Sequence, residues 1–572
     1  MNTMKRGLPI LLIASVVATL TPTLGSEAQF RRLPVKEFVD KMKGAWLGQM
    51  IGVGWGAPTE FKVKGEIISE DKMPPWKPEM VNQHNNDDCY VEMTFMRTLE
   101  LYGFDASIRQ AGIDFANSGY PLWCANKAGR ENLRKGIAPP DSGHPKFNAH
   151  GDDIDYQIEA DFSGIIAPGL PNLAIALGEK FGRLMNYGDG VYAGQFIGGM
   201  YAEAYFQTDP RRLIEAGLRC IPPDSQYAGM VRDLLAWSKE NADWTRTWQL
   251  VEEKYHKDPR YSHGLSGKPG GKGDGSIDVK LNGAYILMGL LYGAGDPDKT
   301  MVIACRCGQD SDCNPSNAGG VFFAALGASK IPARFIEKLD LSRKFSFSDY
   351  TLPKVYEVSE KLAREAVIRS GGRIEKDANG EEVFVIPVQT PKPGALERSW
   401  EPGPAADVKF TPEEMAKIKI TVKTAESRSR EGNREGSITD GDFNSFVVTF
   451  NGKPAKEDWY VIPLSTPIKV RRIVFAHGKN FHDGGWFDAS AGKPRVQVQR
   501  SKGSAWETVG ELSDYPATTA TDNKKLKLGQ KFTLRLPEPV KAVAVRVVGV
   551  PACGDNPKQA FSSCAELQAL SE

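Results

Sequence analysis

The chain has 572 residues, more than one domain of roughly 100 to 200 residues usually contains, so we expect at least two domains. Hydrophobic residues make up 41% of the chain and charged residues 25%, a balance that argues against both a disordered chain and a multi-span membrane protein. The 72 basic and 71 acidic side chains leave a net charge of +1 without a long basic run, which argues against a nucleic-acid partner.

The first 28 residues have the layout of a secretory signal peptide. Lys5 and Arg6 precede an apolar stretch over residues 8–20, and Pro22 and a small-x-small triplet that ends at Ala28 follow it. The stretch is shorter than the roughly 20 residues of a membrane-spanning helix, which favours cleavage near Ala28 over a retained anchor. No later segment is long and apolar enough to span a bilayer. We therefore predict a secreted or periplasmic protein without stable membrane insertion.

The periodicity from about residue 35 to residue 339 is helical. Apolar residues recur at three- and four-residue spacing; the first such helix runs into the glycine-rich segment 52–56, and a second starts at the polar cap 85–88 and stops at Gly103. Further helices are predicted near residues 171–183, 192–206, 211–221, 229–240, 283–292 and 318–326. We predict an all-α domain over residues 33–350.

The pattern changes twice after this domain. Residues 351–415 are rich in Pro, Gly and charge and are interpreted as a linker or extension, with a short hairpin over 374–387. Alternating apolar residues then predict short strands at 445–450, 468–475, 494–499, 532–536 and 542–548, separated by Gly, Asp and Pro turns. We predict an all-β jelly-roll or β-sandwich domain over residues 416–572.

Eight cysteines are too few for a disulfide scaffold. Cys553 and Cys564 are close in sequence, and whether they form a bridge is left open. A second group lies beside acidic residues and suggests a zinc site: Cys89, Cys305, Cys307 and Cys313. That hypothesis is weak, because no C-x-x-C pair and no suitably spaced His accompanies them.

Three acidic segments carry the chemistry that we expect. Glu60 follows the glycine-rich end of the first helix, where a capping or solvated role is the commoner interpretation. Asp87 and Asp88 open the second helix; the helix dipole accounts for one acid, whereas a divalent cation accounts for two. Asp310 and Asp312 alternate on a glycine-initiated loop, where both carboxylates can turn inward to coordinate Mg²⁺ or Ca²⁺, and an Asx-turn explains only one of them.

In this order, the segments Gly56-Ala57-Pro58-Thr59-Glu60, Asn86-Asp87-Asp88-Cys89 and Gly308-Gln309-Asp310-Ser311-Asp312-Cys313 resemble the three motifs of the ADP-ribosylglycohydrolases. The resemblance covers residues 35–340 and implies an all-α domain whose centre binds two Mg²⁺ ions. It implies that Glu60 and Asp310 are catalytic, with Glu60 as a ligand, gate or base. The implied metal ligands are Asn86, Asp87, Asp88, Asp310, Asp312 and Cys313.

The chain departs from the family at two of these ligands. Asn86 and Cys313 stand where the family has threonines. An amide offers a hard oxygen, whereas a thiol is a poor magnesium ligand. The sequence therefore leaves open whether one or two ions bind, and whether Mn²⁺ takes the place of Mg²⁺.

Two polar segments in the middle of the domain supply candidate substrate-binding residues: Asp155, Glu159, Asp161, Asn186, Asp189 and Tyr192. An acidic run is usually a solvated face. Asp155 and Glu159 are spaced i, i+4 among apolar residues, however, so at least part of the run should point inward. A site this acidic repels a pyrophosphate unless metal compensates, and it suits hydroxyl-rich sugars better.

The C-terminal region resembles galactose-binding-like, or discoidin-type, modules at residues 438–442, 481–487 and 553–567. The resemblance implies a carbohydrate ligand. Asp440 is a candidate ligand for a structural Ca²⁺ ion. Trp486 is a candidate for stacking on a sugar ring, against the alternative that it is a core residue, because most Trp side chains are largely buried.

We therefore expect a secreted, Mg²⁺-dependent hydrolase that cleaves an N- or O-glycosidic bond, with ADP-ribose as the substrate that the resemblance implies. Export, the appended sandwich and the acidic middle segments favour one alternative, an extracellular glycosidase that acts on plant or microbial glycan. A further alternative is a non-catalytic, metal-dependent sugar-binding protein, because both threonines are replaced. No serine, cysteine or histidine nucleophile is indicated by the sequence.

Overall fold

The computed structural model describes Met1 and residues 29–261, 275–418, 426–427, 438–439, 441, 443, 446–449 and 453–571. The predicted signal peptide, apart from Met1, and the predicted calcium ligand Asp440 lie outside these residues. Of the helices in the described part, none has the length and apolarity needed to cross a membrane.

The helices of the N-terminal part account for most of the chain up to residue 369. The first nine are α1 Val35–Gly56, α2 Asp87–Tyr102, α3 Ile108–Ala116, α4 Cys124–Arg134, α5 Asp155–Ile158, α6 Asp161–Ile165, α7 Pro171–Phe181, α8 Asp189–Ala204 and α9 Pro210–Leu218. The others are α10 Gln226–Glu240, α11 Trp244–Val251, α12 Val279–Tyr292, α13 Pro297–Arg306, α14 Cys313–Leu326, α15 Ala333–Ile336, α16 Leu352–Arg369 and α17 Pro412–Met415. The predicted all-α domain is confirmed.

Local sequence signals set the ends of several helices. The side chain of Asn86 accepts a hydrogen bond from the backbone N–H of Asp88 (3.0 Å) and caps α2, which ends at Gly103 with a φ of 70°. Helix α14 begins at Cys313, five residues earlier than the predicted start at residue 318. Its first turn is polar and small, so apolar periodicity alone could not mark where it begins.

Residues 351–415 contain ordered elements that pack on the helical domain. Helix α16 buries Leu352, Val355 and Leu362 in the same core as α1 and α2. Its outer face carries charged residues such as the Arg364–Glu360 pair. Because of these charges, the composition of the segment did not indicate a helix with an apolar stripe.

A small sheet pairs a strand that precedes α1 with two strands that follow α16. Strands β1 Phe30–Pro34, β2 Arg373–Lys376 and β3 Glu382–Pro387 form an antiparallel sheet in the order β1-β3-β2. Strands β2 and β3 are the hairpin predicted over 374–387. Leu33 pairs with Phe384, and both side chains are buried.

Helices α1 and α14 pack closely because α1 has a glycine every fourth residue on the face toward α14: Gly44, Gly48, Gly52 and Gly56. A Cβ atom on Gly52 would lie 1.9 Å from the carbonyl oxygen of Pro315, and one on Gly56 would lie 2.1 Å from that of Ser311. Only glycine permits this approach. The packing sets the end of α1, and with it Glu60, against the loop that carries Asp310 and Asp312.

We expect Gly52→Ala to destabilise the protein by about 1–3 kcal/mol, because the added methyl group must push α14 away from α1. Urea denaturation measures this change. Gly229→Ala is the matched control: Gly229 is a glycine within α10 whose added Cβ would meet only a guanidinium nitrogen of Arg232 at 4.0 Å. That variant should be stabilised by up to about 1 kcal/mol, since alanine favours helix. Equal destabilisation of both variants would contradict this account.

The C-terminal part is an antiparallel β-sandwich, as predicted. Its strands are β4 Glu426–Ser427, β5 Val447–Val448, β6 Asp458–His477, β7 Phe487–Asp488, β8 Arg495–Gln499, β9 Glu507–Glu511, β10 Lys531–Pro551 and β11 Ser563–Leu570. The order is β5-β11-β6-β10-β8-β9, with β4 beside β6 and β7 beside β10. The strands predicted at 532–536 and 542–548 are one strand, β10, interrupted by two register shifts against β6.

Trp486 belongs to the core of this sandwich. Its side chain is 2% exposed, and its indole N–H donates a hydrogen bond to the carbonyl oxygen of Thr519 (2.8 Å). It therefore presents no face to a sugar, and the core interpretation is the right one for this residue. Carbohydrate binding by the sandwich stays a prediction that needs other side chains.

The eight cysteines all lie within the described residues, and none of them forms a disulfide. Cys553 and Cys564 are not bridged.

Candidate active site

The helical domain contains a cavity of about 590 Å³. Its walls come from the loop after α1, the starts of α2 and α4, the segment around α5, the segment before α12, and the loop that leads into α14. The described residues that line it are Glu60, Phe61, Lys64, Asn85, Asn86, Asp87, Tyr90, Trp123, Cys124, Asn126, Ile154, Asp155, Ile158, Ser276, Ile277, Asp310 and Cys313.

The three acidic segments singled out in the sequence meet at this cavity. Glu60, Asp87 and Asp310 line it, while Asp88 and Asp312 are 0% and 2% exposed. Hydrogen bonds connect the segments. The amide of Asn86 donates to Asp312 Oδ2 (3.2 Å), and the hydroxyls of Thr59 and Ser311 are 2.8 Å apart. Tertiary packing thus brings the predicted catalytic and metal-ligating residues into one site.

Burial and mutual repulsion raise the pKa values of these acids. Partial removal from water, followed by the charges of Asp312 and Asp87, raises the pKa of Glu60 to about 8. Burial and then the charge of Asp312 raise the pKa of Asp87 to about 6 and hold those of Asp88 and Asp310 well above the usual range. Without a cation, the cluster therefore retains protons near neutral pH.

Several buried oxygen atoms in the cluster have no hydrogen-bond partner among the described residues. Both carboxylate oxygens of Asp88, Oδ1 of Asp310 and the hydroxyl of Ser316 are in this state. Unsatisfied buried oxygens are costly, and a hard divalent cation coordinated by carboxylates removes that cost. The donor set therefore fits Mg²⁺ or Mn²⁺.

The two residues that depart from the family motif, Asn86 and Cys313, differ in the ligand atoms that they offer to a cation. Asn86 already uses its oxygen to cap α2 and its amide to bond Asp312. The sulfur of Cys313 lies 3.7 Å from Asp312 Oδ1, and possible ligand atoms of Asp310, Asp312 and Cys313 all lie within 4.8 Å of one another. Burial raises the pKa of the Cys313 thiol well above its usual value, and sulfur is a poor ligand for a hard cation.

Of the six predicted substrate-binding residues, Asp155 lines the cavity. Its carboxylate accepts hydrogen bonds from the backbone N–H groups of Ala125 (3.3 Å) and Asn126 (2.8 Å) at the start of α4. Glu159 is fully buried and accepts a hydrogen bond from the side chain of Asn126, which itself lines the cavity. These two acids point inward, as their spacing predicted.

Like Glu159, the remaining four candidates do not line the cavity: Asp161, Asn186, Asp189 and Tyr192. Asp161 accepts hydrogen bonds from Tyr201 (3.0 Å) and Asn317 (2.7 Å) inside the core. The amide of Asn186 donates to backbone carbonyls at residues 151 and 153, and Tyr192 bonds backbone groups at residues 395 and 397. The carboxylate of Asp189 lies near buried Lys280. Asn186 and Tyr192 therefore brace loops, whereas Asp161 links α8 and α14 within the core.

No sequence pattern pointed to three further residues of the cavity wall. Phe61, Lys64 and Trp123 all line it, and the Trp123 side chain is 56% exposed. An exposed indole beside a polar cavity is suited to stacking on a sugar ring or a base. No spacing pattern connects Trp123 with the acidic motifs, so only the fold brings them together.

The fold and cavity define a two-domain protein: a helical domain with a carboxylate-lined pocket, followed by a β-sandwich. The sequence profile of the ADP-ribosylglycohydrolase family matches residues 34–373, more than half of the chain. The chain belongs to the ADP-ribosylglycohydrolase family, and the resemblance in its three motifs is confirmed. Among curated proteins, the comparison found no relative that matches.

Several solved structures are similar to parts of the chain. One, described as an ADP-ribosylglycohydrolase-related protein complex, is 18% identical, covers 58% of this chain and 99% of its own, and has a TM-score of 0.37. The family 32 CBM from C. perfringens NanJ in complex with galactose is 20% identical and covers 26% of this chain and 91% of its own, with a TM-score of 0.19. A chitosan-binding module from a Paenibacillus sp. IK-5 chitosanase/glucanase is 18% identical, with coverages of 26% and 95% and a TM-score of 0.18. With TM-scores this low, none of the three carries a conclusion about this chain.

Proposed function

We propose that the protein is a secreted, Mg²⁺-dependent hydrolase that cleaves an N- or O-glycosidic bond of an ADP-ribosyl group or a related glycoside. The observation that carries this proposal is the pair of buried, unpartnered carboxylate oxygens of Asp88, directly behind the cavity acids Asp87 and Asp310. Membership in the ADP-ribosylglycohydrolase family supports the reaction class.

The acids of the site would have two roles, metal binding and proton transfer. Asp87, Asp88, Asp310 and Asp312 would hold one or two Mg²⁺ ions, or Mn²⁺ in their place. A bound divalent cation supplies charge that orients sugar hydroxyls and lowers the pKa of a bound water. Glu60 lines the cavity, and in the absence of a cation its partial burial, followed by the charges of Asp312 and Asp87, raises its pKa to about 8. It is placed to donate a proton to the leaving group and to take one back.

A substrate panel tests the proposal. The full chain is incubated with an ADP-ribosylated protein, chromogenic glycosides and polysaccharides, each with Mg²⁺, with Mn²⁺ or with a chelator. We expect release of ADP-ribose or a sugar that requires the cation. Absence of release from every substrate, with sugar binding retained, would instead support the non-catalytic sugar-binding alternative.

A glycosidase that acts on glycan is a second candidate, which the charge of the cavity favours. Four acids line the wall, Glu60, Asp87, Asp155 and Asp310, whereas Lys64 is the one lysine or arginine among the described lining residues. A pyrophosphate needs positive charge around it, and a neutral sugar does not. Comparing release from an ADP-ribosylated protein with release from polysaccharide separates the two candidates.

Lys64→Ala sharpens this comparison. If the substrate carries a pyrophosphate, loss of the one lining cation should raise KM roughly tenfold, the cost of one charge-assisted hydrogen bond. For a neutral glycoside, KM should stay unchanged. Lys62→Ala is the control, because Lys62 is two residues away and does not line the cavity. An equal effect of both substitutions on KM would show that neither lysine reports on the substrate.

A further inference from the structure

A second group of possible metal ligands lies beside the acidic cluster and contains no residue of it. Cys124 begins α4, and His150 and Asp153 lie in the segment that leads to α5. One ligand atom from each of the three lies within 4.8 Å of the other two. None of these side chains belongs to the three family motifs.

The loop structure fixes the three side chains. His150 Nδ1 lies 2.6 Å from Asp153 Oδ2, and the backbone N–H of His150 donates to the side chain of Asn148 (3.0 Å). Asp153 is 1% exposed. Cys124 has a φ of 41°, in the left-handed region that L-residues rarely adopt, and its backbone is held at the start of α4 where Asp155 bonds the next two N–H groups. The loop therefore holds the three side chains close together.

We propose that Cys124, His150 and Asp153 bind a borderline divalent cation of the Zn²⁺ type, separate from the hard-cation site at Asp87, Asp88, Asp310 and Asp312. Thiolate, imidazole and carboxylate are the ligands that zinc takes in proteins, whereas Mg²⁺ takes oxygen. Three protein ligands leave the fourth position of a tetrahedral ion for water or substrate, as in catalytic zinc sites. Cys124 lines the cavity, so that position is within reach of a bound substrate.

The same three side chains also resemble a thiol nucleophile with its base. The Cys124 thiol lies near the carboxylates of Asp155, Asp153 and Asp310, whose negative charge disfavours a free thiolate at this position. The surrounding negative charge favours a cation over an attacking thiolate.

Cobalt provides the test, because a thiolate bound to Co²⁺ gives a near-ultraviolet charge-transfer band. The full chain is stripped with a chelator, supplied with excess Mg²⁺ to fill the acidic site, and titrated with Co²⁺ and then with competing Zn²⁺. We expect one equivalent of Co²⁺ to give the band and Zn²⁺ to abolish it. Absence of the band in folded wild-type protein would overturn the proposal.

Substitutions of single residues identify the side chains that bind the ion. Cys124→Ser should abolish the band, and His150→Gln should weaken Zn²⁺ binding by at least roughly a hundredfold, more than loss of an outer-shell partner costs. Cys313→Ser and Cys553→Ser should leave the band intact. Loss of the band in Cys313→Ser but not in Cys124→Ser would place the ion in the acidic cluster and refute the proposal.

Zinc K-edge X-ray absorption covers the case in which Cys124→Ser does not fold. Wild-type protein with excess Mg²⁺ and one equivalent of Zn²⁺ should show one sulfur among the zinc ligands. A zinc ligand shell without sulfur would contradict zinc binding at this thiol. Asp310→Asn keeps all three proposed zinc ligands, so the cobalt band should persist in it even if the hydrolase proposal fails.

Discussion

Asp310→Asn is expected to lower kcat by roughly a thousandfold or more and to weaken Mg²⁺ binding in parallel, because it removes one negative charge from the centre of the acidic cluster. The substitution preserves shape, so the fold should survive: the backbone N–H of Asp310 still donates to the side chain of Asn282 (3.3 Å). Release of product under saturating substrate measures kcat, and isothermal titration with Mg²⁺ measures binding.

Asp114→Asn is the matched control. Asp114 is a buried acid on α3 that accepts hydrogen bonds from Thr98 (2.8 Å) and Gln110 (3.0 Å), and it does not line the cavity. The Asp114→Asn substitution should lower the free energy of unfolding but leave kcat and Mg²⁺ binding near their wild-type values. If Asp310→Asn keeps wild-type activity, the acidic cluster is not the catalytic centre.

Metal-free protein should lose thermal stability as pH rises, with Tm falling by about 5 °C or more between about pH 4 and about pH 8. The folded state raises the pKa of Asp87 to about 6 and of Glu60 to about 8, from ordinary values near 4. Over this window the folded protein therefore binds more protons than the unfolded chain does. Stability is highest below the unfolded pKa values and declines until pH exceeds the folded ones. Differential scanning calorimetry in a chelator measures the trend.

Saturating Mg²⁺ should reverse this decline, because ligation stabilises the deprotonated carboxylates. The gain in Tm from Mg²⁺ should grow with pH and be largest near pH 8. In Asp88→Asn, both the pH dependence and the gain from Mg²⁺ should shrink, since one buried acid no longer titrates. A Tm of the metal-free protein that is flat or rises over the same range would show that the cluster does not hold protons.

Much of the fold follows from local patterns in the sequence. The cap at Asn86 and the stop at Gly103 define α2, and the change from helical to alternating periodicity separates the helical domain from the sandwich. The prediction from sequence patterns is wrong where local signals conflict with tertiary packing. Helix α16 lies in a segment rich in charge and proline, and β10 continues through bulges that look like turns.

The class of domain and the candidate acids Glu60, Asp87 and Asp310 could be predicted from the sequence, because three ordered motifs combine short-range signals that do not depend on distant contacts. Which side chains share the cavity depends on the tertiary structure. Asp155 lines it, whereas Asn186 and Tyr192 brace loops, although all three lie in polar segments of similar composition. The direction of a loop side chain depends on the backbone groups that it can reach, and packing between distant elements sets those groups.

Trp123 and Cys124 illustrate the same limit. Neither residue belongs to a sequence motif, yet both line the cavity at the start of α4. The loop before α5 places His150 and Asp153 beside Cys124. Contacts between segments separated by more than 20 residues have no periodicity for a sequence pattern to reveal. These contacts depend on tertiary packing, such as the close approach of α1 to α14 and the hydrogen bond from the start of α4 to Asp155.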